Sequence, residues 1–363
     1  MKRTTTSIWE RFLDANWSRM CYTYYKFRQR VGLLAPPEDV QWLATARCNL
    51  RCRHCGSDAG APAPDELTTD EMKEVIDDLA YLQTRFLTLT GGEPLLRDDL
   101  FELLHYAAER GIEYNLVTNS TFVPRLEKRL RELPPASVKV SIDGPPGTHA
   151  FIRGDEENFE ACMYALTFFK TLGIETRVIC TTLNQWNVDE VEELFRYVRS
   201  SDATFWEFHI AVMEGRARDN ADRMGLSAEQ TRRVFEFVID NRHLFPIFMG
   251  EGCGHVGALT RYLYEGRRFF CGAGWSTFTI MPNGDVAGCP AFEGRWTEGN
   301  VRRSSVVELW RHGFERFRKI YRHLDAECRR CRYLPACHGG CWMQRRTGDH
   351  CFKRIWEKME VEV

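Results

Sequence analysis

Long apolar runs are absent from this 363-residue sequence. No stretch approaches the length of a membrane span, and Met1-Lys2-Arg3-Thr4-Thr5 leads into Trp9-Glu10-Arg11 instead of an apolar signal-peptide core. The expectation is a cytoplasmic protein with no membrane partner. A dominant charge is absent too. With 49 Lys+Arg against 51 Asp+Glu the formal net charge is −2, so no global basic field points to nucleic acid. The 44% hydrophobic and 28% charged content is ordinary for a soluble globular protein, and the length suits about two domains.

Cysteine is the exception. Fourteen are many for a cytoplasmic chain, where disulfides are rare and clustered cysteines usually bind metal. Three lie in Cys48-Asn49-Leu50-Arg51-Cys52-Arg53-His54-Cys55 and eight fall between Cys253 and Cys351. Cys21, Cys162 and Cys180 stand alone and read as small buried hydrophobes. Thiolate is the soft ligand that iron–sulfur clusters select, and the first spacing suits three irons of a cubane [4Fe–4S] cluster. A fourth local cysteine is missing, which leaves one iron open to a small molecule. Zinc is the alternative, although zinc sites usually pair their ligands as two close-spaced knuckles.

Val40–Ala46 reads as a buried strand leading into this loop, and a second strand, Phe86–Thr90, ends in Gly91-Gly92-Glu93-Pro94. Together these segments resemble the radical S-adenosylmethionine (SAM) enzymes, with His54 at the aromatic position of the cysteine signature. The resemblance extends over essentially the whole chain from about residue 38. It implies that SAM chelates the open iron and that Gly91, Gly92 and Glu93 contact its amino group, glycine letting backbone approach a ligand closely.

Between about residues 38 and 220, β-rich runs alternate with helical patterns, the mark of a parallel α/β architecture. Further strands are expected at Tyr114–Thr118, Val138–Ser141, Thr176–Thr181 and Phe205–Ala211, with helices at Thr69–Leu82, Leu100–Arg110, Arg125–Arg131, Asn158–Leu172 and Val188–Arg199. These βα units match the partial (β/α)6 barrel of the radical SAM family. Polar residues gather at the strand C-termini, the face on which parallel barrels build active sites. By resemblance, Ser141 and Arg153 contact polar groups of SAM, Asn119 joins the cofactor site, and Asn184 and the segment after strand six line the nucleoside. Each also has a local reading: Asn119 as a turn former, Asp143 as a cap, Arg153 as a surface ion pair.

The C-terminal array runs Cys271, Gly284, Cys289, Cys328-x2-Cys331-x5-Cys337-x3-Cys341 and Cys351. It closely resembles the SPASM extension of radical SAM enzymes that mostly act on peptides and proteins. The resemblance implies two auxiliary [4Fe–4S] clusters, one on Cys253, Cys271, Cys289 and Cys341, the other on Cys328, Cys331, Cys337 and Cys351. A zinc ribbon is the alternative for this region. The expected domains are therefore an aromatic, basic helix over 1–37 packed on the main domain, the barrel over 38–225, a helical linker over 226–252, and a small cysteine-rich SPASM domain over 253–363.

What the resemblance implies for function is reductive cleavage of SAM to a 5′-deoxyadenosyl radical and hydrogen abstraction from a substrate. The leading expectation is oxidative modification, a crosslink above all, of a ribosomally made precursor peptide. A flavodoxin- or ferredoxin-type reductant would supply the electron, and a separate leader-recognition protein would deliver the peptide unless the barrel recognises it directly. Glu207, His209 and Glu214 are acid–base candidates by location. Pro290 stands where sulfatase maturases carry an aspartate base, against that activity. The competing expectation is a small-molecule substrate such as a tetrapyrrole, a sugar or an amino acid.

Overall fold

A computed structural model of the chain describes residues 8–250, 254–264, 268–290, 296–341 and 351–352. Its central strands follow from apolar alternation. In β1 (Asp39–Leu43) Val40 and Trp42 are fully buried, while Asp39 and Gln41 face the other side half-buried. The parity repeats in β2 (Phe86–Thr90) and β4 (Ser137–Ser141). One side of the sheet is thus apolar and meets helices, and the inner side is polar.

Helices supply the apolar cover. In α2 (Thr69–Tyr81) the helical spacing of Met72, Val75, Ile76 and Leu79 makes a buried stripe worth about 1.5–3 kcal/mol per side chain. A Thr68–Glu71 capping box fixes its start. The chain continues through α3 (Leu100–Glu109), β3 (Glu113–Thr118), α4 (Val123–Glu132), α5 (Pro146–Arg153), α6 (Asn158–Thr171), β5 (Thr176–Leu183), α7 (Val191–Ser200) and β6 (Phe205–Ile210). Strands β1 to β6 are parallel neighbours in sequence order, the parallel α/β arrangement that the βα periodicity implies. Helix α5 lay outside the expected elements because Pro145, Pro146 and Gly147 mask its start.

Two features depart from the expected division. After the short helices α8 (Arg216–Asp219) and α9 (Ala221–Met224), the segment expected as a helical linker carries the 14-residue helix α10 (Ala228–Asn241) but also adds a strand, β7 (Ile247–Met249), parallel to β6. Its three apolar residues are too short a run to register as a strand. Beyond α11 (Thr260–Leu263), β8 (Thr277–Ile280) pairs in parallel with β1, and β9 (Asp285–Ala287) and β10 (Thr297–Asn300) continue antiparallel. Among the described residues one sheet therefore runs β10-β9-β8-β1-β2-β3-β4-β5-β6-β7, and the cysteine-rich part grows from the barrel edge.

The last part carries α12 (Val306–His312), α13 (Glu315–Arg318), α14 (Ala326–Arg330) and α15 (Leu334–Cys337). The N-terminal helix α1 (Ile8–Arg30) packs here, where the expectation was the main domain. Ser18 Oγ donates to Phe269 O (2.7 Å), Tyr22 Oη to Cys271 O (3.2 Å), and Tyr22 stacks on His338 at 3.5 Å between centroids. Aromatic contacts choose the docking face. Among the described residues no helix is long and apolar enough to cross a membrane.

Candidate active site at the strand C-termini

The cysteine loop leaves β1 and is held by the end of β2. Gly92 N–H donates to Thr45 O (2.8 Å) and Glu93 N–H to Arg47 O (2.9 Å). A Cβ on Gly92 would lie 2.2 Å from Arg47 O, and one on Gly91, at φ +117°, 2.7 Å from Thr45 O. The close approach that demands glycine is thus to the chain's own loop. Glu93 is fully buried; its carboxylate accepts from Thr118 Oγ1 (2.9 Å), Leu95 N–H (3.2 Å) and Asn119 N–H (2.8 Å). Burial raises its pKa to about 7 despite these bonds. Through its carboxylate Glu93 ties strand ends β2 and β3.

Charge is concentrated beside Cys52. Arg153, at the end of α5, donates from Nε to Asp143 Oδ2 (2.6 Å), and its Nη1 lies 3.7 Å from Cys52 Sγ. His54 Nε2 is 3.2 Å from the same Asp143 oxygen, and Thr182 N–H donates to the other (2.8 Å). Burial alone would raise the Asp143 pKa, but Arg153 and then His54 hold it well below the carboxylate range. Arg153 is therefore a buried partner of Asp143 and Cys52, not a surface ion pair. His149 backs the network: its Nδ1 accepts from Asp143 N–H (3.1 Å), so its Nε2–H donates to Asn158 Oδ1 (2.9 Å). Burial and then Arg153 push its pKa down to about 4.

Asn119 is both a turn former and a neighbour of the loop. Its Oδ1 accepts from Thr121 N–H (3.0 Å), while Nδ2 donates to Asn49 Oδ1 (3.0 Å) and lies 3.9 Å from Cys48 Sγ. The Asn184 side chain closes a local turn: Nδ2 donates to Thr182 O (3.0 Å) and Oδ1 accepts from Trp186 N–H (2.9 Å). The segment after β6 grips the cysteine loop. Arg216 donates to Cys52 O (2.9 Å), Ala59 O (2.8 Å) and Asp58 Oδ1 (2.7 Å), and a Cβ on Gly215 would lie 2.5 Å from Gly56 O. Arg216 was not singled out from the sequence, because its partners are mostly carbonyls some 160 residues away.

On the inner face, strand pairing aligns Ser141, Cys180 and Glu207 in one row. Ser141 is half-buried there. Lys139 Nζ donates to Glu207 Oε2 (2.6 Å), His209 Nε2 lies 3.4 Å from Glu207 Oε1, and Cys180 Sγ is 3.6 Å from Oε2. Burial alone would lower the His209 pKa; the Glu207 carboxylate overrides it and lifts the value to about 10. Glu214 instead pairs with Arg218 on the next helical turn. Cys180, expected as an isolated core residue, belongs to this row. Alternation along β5 gives the signal, since Cys180 shares parity with half-buried Thr182 while Ile179 and Thr181 point into the helix layer. Cys162 is the buried residue that its isolation suggests, its thiol against Asn119 O and Ser141 O.

Among the C-terminal cysteines, burial raises the Cys337 pKa to about 12, with Cys351, Cys328 and Cys331 adding to the rise. Cys271, Cys289 and Cys341 pack half-buried against the core. Gly254 sits so close to Cys341 that a Cβ there would lie 3.0 Å from its backbone nitrogen. Cys253 lies outside the described residues.

Two chemical features show that the donor sets suit iron–sulfur clusters. Burial raises the Cys48 pKa to about 11, with Cys52, Glu93 and Cys55 contributing. Thiolates grouped in this way would be stabilised by a cationic metal centre that neutralises them. His54 Nδ1 is moreover buried without a hydrogen-bond partner among the described residues.

Comparison with known proteins agrees with this architecture. Residues 42–198 match the Radical SAM superfamily, and 271–332 match SPASM, an iron–sulfur cluster-binding domain. The chain is 29% identical over 313 residues to mycofactocin maturase MftC of Mycolicibacterium smegmatis, covering 85% of this chain and 79% of that one. It is 28% identical over 333 residues to an AdoMet-dependent heme synthase of Nitratidesulfovibrio vulgaris, covering 86% and 89%. The fold resembles Streptococcus suis SuiB bound to its precursor peptide SuiA, with a TM-score of 0.67, 16% identity, and coverage of 96% and 80%.

Proposed function

Because the chain joins a radical SAM domain to an iron–sulfur cluster-binding SPASM domain, we propose that it is an oxidative maturase of a ribosomally made peptide that carries three [4Fe–4S] clusters. Cys48, Cys52 and Cys55 hold the SAM-binding cluster. Cys253, Cys271, Cys289 and Cys341 hold one auxiliary cluster, and Cys328, Cys331, Cys337 and Cys351 the other. When bound, the first cluster and SAM supply a 5′-deoxyadenosyl radical that removes an unactivated hydrogen.

The protein's own residues position and insulate that chemistry. Asn119 and Arg153 offer N–H groups toward Cys48 and Cys52, the kind of contact that tunes cluster potential. Gly91, Gly92 and Glu93 lock the loop, Arg216 grips it, and Ser141 faces the ligand from the inner sheet. Glu207 and His209 lie on the substrate side, with a proton held at His209 Nε2; Glu214 is committed to Arg218.

The observation that supports the oxidative reading is the match of residues 271–332 to an iron–sulfur cluster-binding domain. An auxiliary cluster bound there would supply a second redox centre, an outlet for the electron that an oxidative coupling must remove. Likeness to MftC and to the SuiB fold supports a peptide, whereas likeness to the heme synthase favours a tetrapyrrole as the second reading. Mass spectrometry of the short peptide encoded beside this gene, after anaerobic co-expression, separates them. Loss of two hydrogens, abolished by Cys48→Ala, is expected; an unchanged peptide with continued SAM cleavage would favour the small molecule.

A further inference from the structure

The inner row of the barrel holds more than acid–base groups. We propose that Cys180, Glu207 and His209 form a mononuclear site for a borderline divalent cation of the zinc type, with three protein ligands and its remaining position open to the barrel interior. Their donor atoms all lie within 4.8 Å of one another. His209 Nε2 is 3.4 Å from Glu207 Oε1, and Cys180 Sγ is 3.6 Å from Oε2. Zinc bonds of about 2.0–2.3 Å to nitrogen, oxygen and sulfur imply donor–donor edges of about 3.3–3.6 Å in a tetrahedron. The His209–Glu207 separation already falls at that spacing, and the Cys180 thiol completes a donor set within 4.8 Å.

The ligand types match as well. Thiolate, imidazole and carboxylate together select a borderline metal over magnesium or calcium, which prefer all-oxygen shells. Thiolate and carboxylate balance the dication, and binding exchanges it for a proton on Cys180 and one on His209. Lys139 approaches Glu207 through Oε2 and leaves Oε1 toward His209, the outer hydrogen bond that a ligating carboxylate requires.

Shape and access support the same site. A Cβ on Gly250 would lie 2.9 Å from His209 Cε1 and Nδ1, so glycine leaves room for the ring. The His209 side chain retains 39% exposure, so the open position meets accessible space. Thr182, two residues beyond Cys180, donates to the carboxylate that holds Arg153 beside Cys52. The cation therefore lies on the same inner face as the cysteine loop, and its open position suits an oxygen or nitrogen donor of the substrate. The proposal rests on that face being the substrate side but not on the substrate's identity.

The test is anaerobic: cluster-loaded holoenzyme is exposed to zinc, desalted, and analysed for zinc, iron and sulfide, with zinc-edge X-ray absorption on the same sample. About one zinc per chain is expected, its shell holding one sulfur at about 2.3 Å and nitrogen or oxygen at about 2.0–2.2 Å. Cys180→Ser and Glu207→Gln should each lower zinc retention at least about tenfold with iron and sulfide unchanged. No retained zinc would reduce the row to an ion-pair network and overturn the proposal. So would an all-sulfur shell, which would mark zinc in a cluster site, or equal retention in both variants. Should a variant lose iron, the wild-type shell decides by itself. Because no turnover is involved, failure here is distinct from failure of the peptide reading.

Discussion

Asp143 is the residue on which most of the site's polar contacts converge, bonded to Arg153 and Thr182, beside His54 and backed by His149. Asp143→Asn leaves Arg153 buried without a counter-charge, so a loss of about 3–5 kcal/mol is expected in denaturant unfolding. SAM cleavage should fall with it, because Arg153 no longer stays beside Cys52. His149 gives a pH signature. Its folded pKa of about 4 lies below the ordinary value of 6.5, so the unfolded chain binds its proton first as pH falls. The contribution is fully present above about pH 6.5 and lost down to about pH 4, a share of about 3 kcal/mol. Unfolding midpoints between pH 7 and 4 should drop more steeply in the wild type than in His149→Phe. Equal slopes would contradict the neutral, buried assignment.

Single residues also show where sequence reading stops. The cysteines were legible because soft ligands at fixed spacing have few other uses. Asn184 and Glu93 were legible as positions but not as roles, since their partners are backbone groups and a threonine in the tertiary structure. Cys180 was hidden because a lone cysteine is usually core. Only its alignment with Glu207 across β5 and β6 reveals it.

Among elements, the end of β2 and the cysteine loop form a lock whose key dimension is the missing Cβ of Gly92, 2.2 Å from Arg47 O if added. Gly92→Ala must push the loop away. On the proposed cluster assignment, iron analysis of the reconstituted variant should show loss of one cluster's worth of iron, with the iron assigned to the C-terminal cysteines retained. Full iron content would mean that the loop tolerates displacement. Helix α1 was legible as a helix from its aromatics, but its docking face was not, because Tyr22 finds His338 and Phe270 across more than two hundred residues of chain.

In the whole molecule, β8 completes the barrel edge at β1, with four residues in register. The βα alternation made the six central strands legible. Strands β7 to β10 were not, because runs of three or four residues carry little periodicity. The continuity has a mechanical consequence. A chain ending at residue 250 would expose β1 as a bare edge beside an apolar face, so it should aggregate on expression rather than yield a soluble barrel. Soluble, cooperatively unfolding material would show that the two parts are independent.

The most direct measurement follows the hydrogen itself. The reduced holoenzyme would be given SAM and its peptide bearing deuterium at carbon, and the 5′-deoxyadenosine analysed by mass spectrometry. Deuterium in the deoxyadenosine, matched by peptide that has lost two hydrogens, is the predicted result. Unlabelled deoxyadenosine formed at full rate beside intact peptide would contradict the claim that this barrel abstracts hydrogen from a peptide.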